Sequence, residues 1–116
     1  MQNNHIIFTF ILLFVGSNLP AIDIDQLQID QGFRISIFVQ DLDSPRQMAE
    51  GENGTIFVAE RGGQILALID ADKNGQIDSK IIIAKDLNLS TGLSLFDGDL
   101  YFSEISKIWR IDNVEG

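Results

Sequence analysis

The chain has 116 residues, no cysteine, and 17 acidic against 8 basic residues, for a net charge of −9. Without thiols there is neither a disulfide framework nor a thiolate metal site. The acid excess excludes nucleic acid as a partner, since neutralising phosphates needs clustered Lys and Arg, and it opposes an anionic membrane surface.

Residues 1–21 contain no Asp, Glu, Lys or Arg, and Ile6 to Val15 is an apolar run broken only by Thr9. Gly16-Ser17-Asn18-Leu19-Pro20-Ala21 follows, small and turn-prone. This pattern predicts a signal helix over 1–21, cleaved after Ser17 or Ala21, and a periplasmic or secreted protein. A stable membrane span needs about 20 apolar residues, more than this run offers. His5, the only histidine, falls inside the segment expected to be removed.

Residues 22–31 form a polar, acidic lead-in. Gly32 to Gln40 alternates, with Phe33, Ile35, Ile37 and Val39 on one face, which reads as a strand. Four more strands are expected after it: Gln47–Glu50, Thr55–Glu60, Gln64–Ile69 and Ile77–Ala84. Asn53-Gly54 and Arg61-Gly62-Gly63 supply tight turns, and Asp70–Gln76 a longer loop. The second and third of these strands are apolar on both faces, the pattern of sheets stacked face to face. β-branched residues and glycine punctuation disfavour helix.

The chain then repeats itself. Asp41 to Met48 is echoed by Asp86 to Leu93, Asn53 to Glu60 by Asp97 to Glu104, and Gln64 to Asp70 by Lys107 to Asp112. The offset is 45 residues at Asp41/Asp86, 44 at Glu60/Glu104 and 42 at Asp70/Asp112. A repeat of roughly 40–50 residues made of short strands has the period of a β-propeller blade. Residues 32–116 therefore read as the N-terminal part of an all-β propeller, about two four-stranded antiparallel blades with the second incomplete. The leading strand would complete the last blade of a longer ring, so the remaining blades are the expected partners. Loops 41–46, 60–63 and 87–91 should share the channel-mouth face, and loops 50–54 and 70–76 the opposite face.

One loop carries ligand chemistry. Asp70-Ala71-Asp72-Lys73-Asn74-Gly75-Gln76-Ile77-Asp78 matches the first nine positions of an EF-hand-type calcium loop, with oxygen donors at alternate positions and a glycine for the sharp turn. The twelfth position, where a bidentate Glu is expected, is Ile81. Asp70, Asp72, Asn74 and Asp78 are thus candidate ligands of a structural Ca2+. The competing reading is a solvated hairpin loop organised around Asn74-Gly75.

Gly32-Phe33-Arg34-Ile35, Ser44-Pro45-Arg46-Gln47-Met48-Ala49, Gly54 to Ile65, Gly92-Leu93 and Leu100 to Ile108, in this order and spacing, resemble the N-terminal region of the glucose/sorbosone dehydrogenase family. The resemblance covers about residues 27–116. It implies a six-bladed, exported quinoprotein that binds pyrroloquinoline quinone (PQQ) over the channel mouth, with calcium against it, and oxidises a sugar or aldehyde substrate. In that family a histidine is the base and Arg and Lys hold the quinone carboxylates. No histidine follows residue 5, so no catalytic residue is assigned and the chain alone is expected to be inactive. Arg46, Gln47 and Thr91 lie where first strands meet the mouth. They are the candidate cofactor-binding residues, with loop and inter-blade hydrogen bonding as their alternative role. Two other functions stay open: a non-catalytic exported propeller that binds a ligand or protein, and a lactonase-type propeller.

Overall fold

Seven strands form two antiparallel sheets, each in sequence order, in the computed structural model, which describes residues 23–116. β1 (Pro45–Glu50), β2 (Ile56–Glu60), β3 (Gln64–Ile69) and β4 (Ser79–Ala84) make one sheet in that order. β5 (Leu93–Phe96), β6 (Asp99–Glu104) and β7 (Lys107–Ile111) make a second. Among the described residues there is no α-helix, only a 3-10 turn at Ile24–Gln26 capped by the Asp23 carboxylate. The signal helix expected over 1–21 lies outside the described residues. No helix among them is long and apolar enough to cross a membrane.

The turns follow from their residues. Gly54 and Gly63 sit at φ +89° and +93°, where a side chain would be strained. Asp97 and Gly98, both at positive φ, close the β5–β6 hairpin as the mirror-image turn that matches strand twist. β1 starts two residues earlier than its sequence suggests. Its register slips between Pro45 and Gln47, so Arg46 bulges out of the ladder at that end. β4 starts at Ser79, because Ile77 and Asp78 are used in closing the loop before it. The Asp78 N–H donates to the Ile69 carbonyl at 2.8 Å.

Strand alternation sorts the side chains onto two cores. Phe57, Ala59, Ile65 and Ala67 leave one face of the first sheet and meet Leu93, Leu100 and Phe102 of the second. Val58, Leu66 and Leu68 leave the opposite face and meet Phe38, Val39 and Leu42 from the segment before β1. Burying a side chain such as Phe57, which is 1% exposed, contributes roughly 1.5–3 kcal/mol. The doubly apolar strands β2 and β3 thus lie between two layers, as their sequence implies.

One expectation is corrected. Residues 32–40 do not form a strand: they run without a ladder partner among the described residues, and Phe33 is 76% exposed. Their alternation is real, but a strand requires a neighbour to receive its backbone bonds. Two backbone bonds reach this stretch, from the Ile77 N–H to the Phe38 carbonyl at 3.4 Å and from the Phe33 N–H to the Asp30 carbonyl at 3.2 Å.

Candidate functional site

The ladder register sets two ends of the molecule. Pro45 lies opposite Glu60, and Glu60 opposite Gln64, so the loops at 41–46 and 60–63 share one end. Glu50 pairs with Ile56, and Ile56 with Leu68, so loops 50–54 and 70–78 share the other. A strand of six residues separates these ends by about 20 Å.

At the first end the loops are tied by carboxylates. The Glu60 side chain, 4% exposed, accepts the Asp43 N–H at 2.7 Å. Glu104 accepts the Asn88 N–H at 2.7 Å. Around these two bonds run backbone bonds from Arg61 to the Ser44 carbonyl, from Leu87 to that of Gly63 and from Ile105 to that of Asn88, each 3.1 Å. Glu104 also accepts Trp109 Nε1–H at 3.0 Å and stands 3.5 Å from the Lys107 ammonium. Its carboxyl is held below the usual Glu range, first by the Asn88 N–H, then by Trp109, against an opposing effect of burial, with the Lys107 charge a lesser contribution.

The three sequence-predicted cofactor residues are at this end, each in a different setting. Arg46 is exposed on the bulge, with no ion pair among the described residues. The Gln47 Oε1 accepts the Leu93 N–H at 3.3 Å, so it joins the two sheets. Thr91 is exposed, its N–H donating to the Ser103 carbonyl at 3.4 Å. Beside it Ser90 is fully buried, with its Oγ unpartnered. One exposed guanidinium does not make a cradle for a polycarboxylate quinone, so these residues alone do not fit PQQ.

At the far end the acidic loop is closed on itself. Asp70 accepts the N–H groups of Asn74 and Gly75 at 3.1 and 2.8 Å, and Asp78 those of Ala71 and Asp72 at 2.7 and 3.4 Å. Asp72 accepts the Asn74 N–H at 3.1 Å and its side-chain amide at 2.9 Å, and the Asn74 Oδ1 accepts the Gln76 N–H at 2.8 Å. Lys73 and Gly75 take positive φ to make this possible. Asp70, Asp72 and Asp78 each bring a carboxylate oxygen to within 4.8 Å of the others. The donors are hard oxygens, which suits a hard cation.

Sequence reasoning missed Glu60 and Glu104 as loop ties. The readable signal was the repeat: both carboxylates are retained while their neighbours change from Ala59 and Arg61 to Ser103 and Ile105.

These features define an all-β protein of two stacked antiparallel sheets with duplicated loop ties. No family model and no solved structure matches the chain. It is similar to an uncharacterized protein of Borreliella burgdorferi, 30% identical over 111 residues, which are 94% of this chain and 28% of that relative. The chain thus spans less than a third of the relative's length.

Proposed function

We propose that the chain is the N-terminal part of an exported β-propeller of the glucose/sorbosone dehydrogenase type, whose complete form oxidises a sugar or aldehyde with PQQ. The observation that carries the propeller reading is the stacking of two repeat-related sheets. Their first strands, β1 and β5, lie side by side, and their mouth loops are tied in the same way. The sugar chemistry rests on the sequence resemblance alone. The residues here would contribute one exposed cation, Arg46, and the rest of a quinone site would have to come from elsewhere in the complete protein. The acidic loop at the far end serves as a structural calcium loop in this reading, separate from the mouth.

The test is dye reduction by the full-length gene product given PQQ, calcium and glucose or another aldose. Turnover supports the reading, provided that the chain ending at Gly116 shows none. A full-length protein that binds no PQQ and oxidises no sugar overturns it and leaves the binding-module or lactonase-type propeller.

A further inference from the structure

Asn88-Leu89-Ser90 has the form Asn-x-Ser, with x other than Pro, which is the acceptor of N-linked glycans in exported chains. Three observations around it have no account in the fold. The first is Ser90, which is fully buried while its Oγ has no hydrogen-bond partner. Buried hydroxyls are nearly always paired, so one left alone calls for a reason. The repeat supplies a control. Pro45, 45 residues earlier, occupies the equivalent position with no hydroxyl at all. The flanking backbone is the same in both copies: Asp41 and Asp86 have φ 58° and 60°, and Ser44 and Leu89 both have 53°. The loop thus forms without a hydroxyl at this position.

The second is Asn88. Its backbone is fully used, with the N–H donating to Glu104 at 2.7 Å and the carbonyl accepting the Ile105 N–H at 3.1 Å. The residue is exposed, and its side-chain amide makes no hydrogen bond among the described residues. The third is the apolar pair on these adjoining loops, Leu89 at 39% and Ile105 at 67% exposed. Their repeat partners, Ser44 and Arg61, are polar, and both stay exposed although the second sheet packs beside the first. A neighbouring sheet therefore does not cover these places. Elsewhere it does: Ile108, 79% exposed, is the partner of Ile65, which the second sheet buries.

We infer that Asn88 is an N-glycosylation site. The Ser90 hydroxyl is read by a membrane-bound oligosaccharide transferase in the extended chain during export, before the fold buries it. The Asn88 Nδ2 forms a bond to the anomeric carbon of a sugar carried on a lipid pyrophosphate. The bond from that carbon to the pyrophosphate oxygen breaks, the lipid pyrophosphate leaves with the electron pair, and the amide gives up one proton to solvent. Nothing is oxidised or reduced. In the folded protein the exposed amide leaves room for the glycan, and the C–H face of its first sugar covers Leu89 and Ile105. Asn53-Gly54-Thr55 has the same form at the other end of the sheet, but no orphaned hydroxyl accompanies it. The inference rests on the export reading of residues 1–21 and not on the sugar oxidation.

Trypsin separates the two acceptors: residues 47–61 carry Asn53, and residues 86–107 carry Asn88. The full-length gene product is purified from the cells that make it, and both peptides are sequenced by mass spectrometry with electron-transfer fragmentation. Peptide 86–107 should carry sugar mass increments localised to Asn88. Asn88→Gln and Ser90→Ala should each remove them, and Ser90→Thr should keep them. Circular dichroism of Ser90→Ala should match the parent, which makes the loss one of recognition and not of folding. An unmodified Asn88 in the exported protein overturns the inference. So does a sugar that survives Ser90→Ala, or modification confined to Asn53. A full-length protein retained in the cytoplasm overturns the export reading and the site together. A glycan on a protein that oxidises no sugar keeps the site and discards the dehydrogenase chemistry.

Discussion

Glu60 and Glu104 make the same bond 44 residues apart. Each ends the second strand of its sheet and accepts, at 2.7 Å, the backbone N–H of a residue in the loop entering the first strand, Asp43 or Asn88. The bond fixes where each sheet begins, because it holds the entering loop against the β2–β3 or β6–β7 hairpin.

Removing the Glu60 acceptor should therefore cost more than its surroundings suggest. Glu60→Ala leaves the Asp43 N–H unpaired at a nearly buried site, a loss of about 1–3 kcal/mol. Glu60→Gln keeps an acceptor oxygen and should lose less. Urea denaturation of the full-length protein measures both. Equal losses would show that the charge, not the acceptor, matters.

The second tie should be pH-sensitive. The Asn88 N–H foremost, with Trp109 and Lys107 behind it, depresses the Glu104 carboxyl in the folded protein. Its stabilisation is then fully present above the ordinary Glu range and lost as pH falls through the lowered folded value. The Trp109 fluorescence midpoint in denaturant should drop over that acid window. In Glu104→Gln, which does not titrate there, the drop should be smaller. Identical acid profiles would refute the assignment.

The acidic loop yields a calcium prediction. An ion bound only by the folded form raises stability by mass action. Millimolar calcium should raise the Tm of the full-length protein, and Asp72→Ala should reduce that rise. Activity should persist, since the loop lies at the end away from Arg46 and Thr91. A Tm indifferent to calcium would leave the loop as a hairpin held by its own amide bonds.

Core and surface aromatics should separate cleanly. Phe57→Ala opens a cavity between the sheets and should cost about 3–5 kcal/mol. Phe96, 73% exposed, should cost less than about 0.5 kcal/mol when changed to Ala. Denaturation midpoints of the two variants decide this.

Much of this architecture was legible in the residues. The unbroken apolar runs in β2 and β3 announced a sheet covered on both sides, and Gly54 and Gly63 marked the turns. The segment 32–40 misled because alternation reports which face is apolar, not whether a backbone partner is present. The mouth residues were legible in position: Arg46, Gln47 and Thr91 do lie at one end, and Gln47 takes the inter-blade hydrogen bond that was its alternative role, to Leu93. The bulge that carries Arg46 was not legible. The acidic loop was legible as chemistry. Its internal amide bonds were not, because Asx-type turns and metal loops use the same Asp, Asn and Gly.

The unpaired stretch at 34–39 also has a consequence for the order in which the protein assembles. Every ladder from β1 to β7 joins sequence neighbours, so these hairpins can close within tens of residues of leaving the ribosome, at low loop-closure cost. The segment before β1 emerges earlier than all of them, and Phe38, Val39 and Leu42 can seat only after β2 and β3 supply Val58, Leu66 and Leu68. At roughly 5–20 residues per second, that delay is long beside hairpin closure in microseconds. The apolar residues 38–42 thus stay exposed until the sheet that covers them exists.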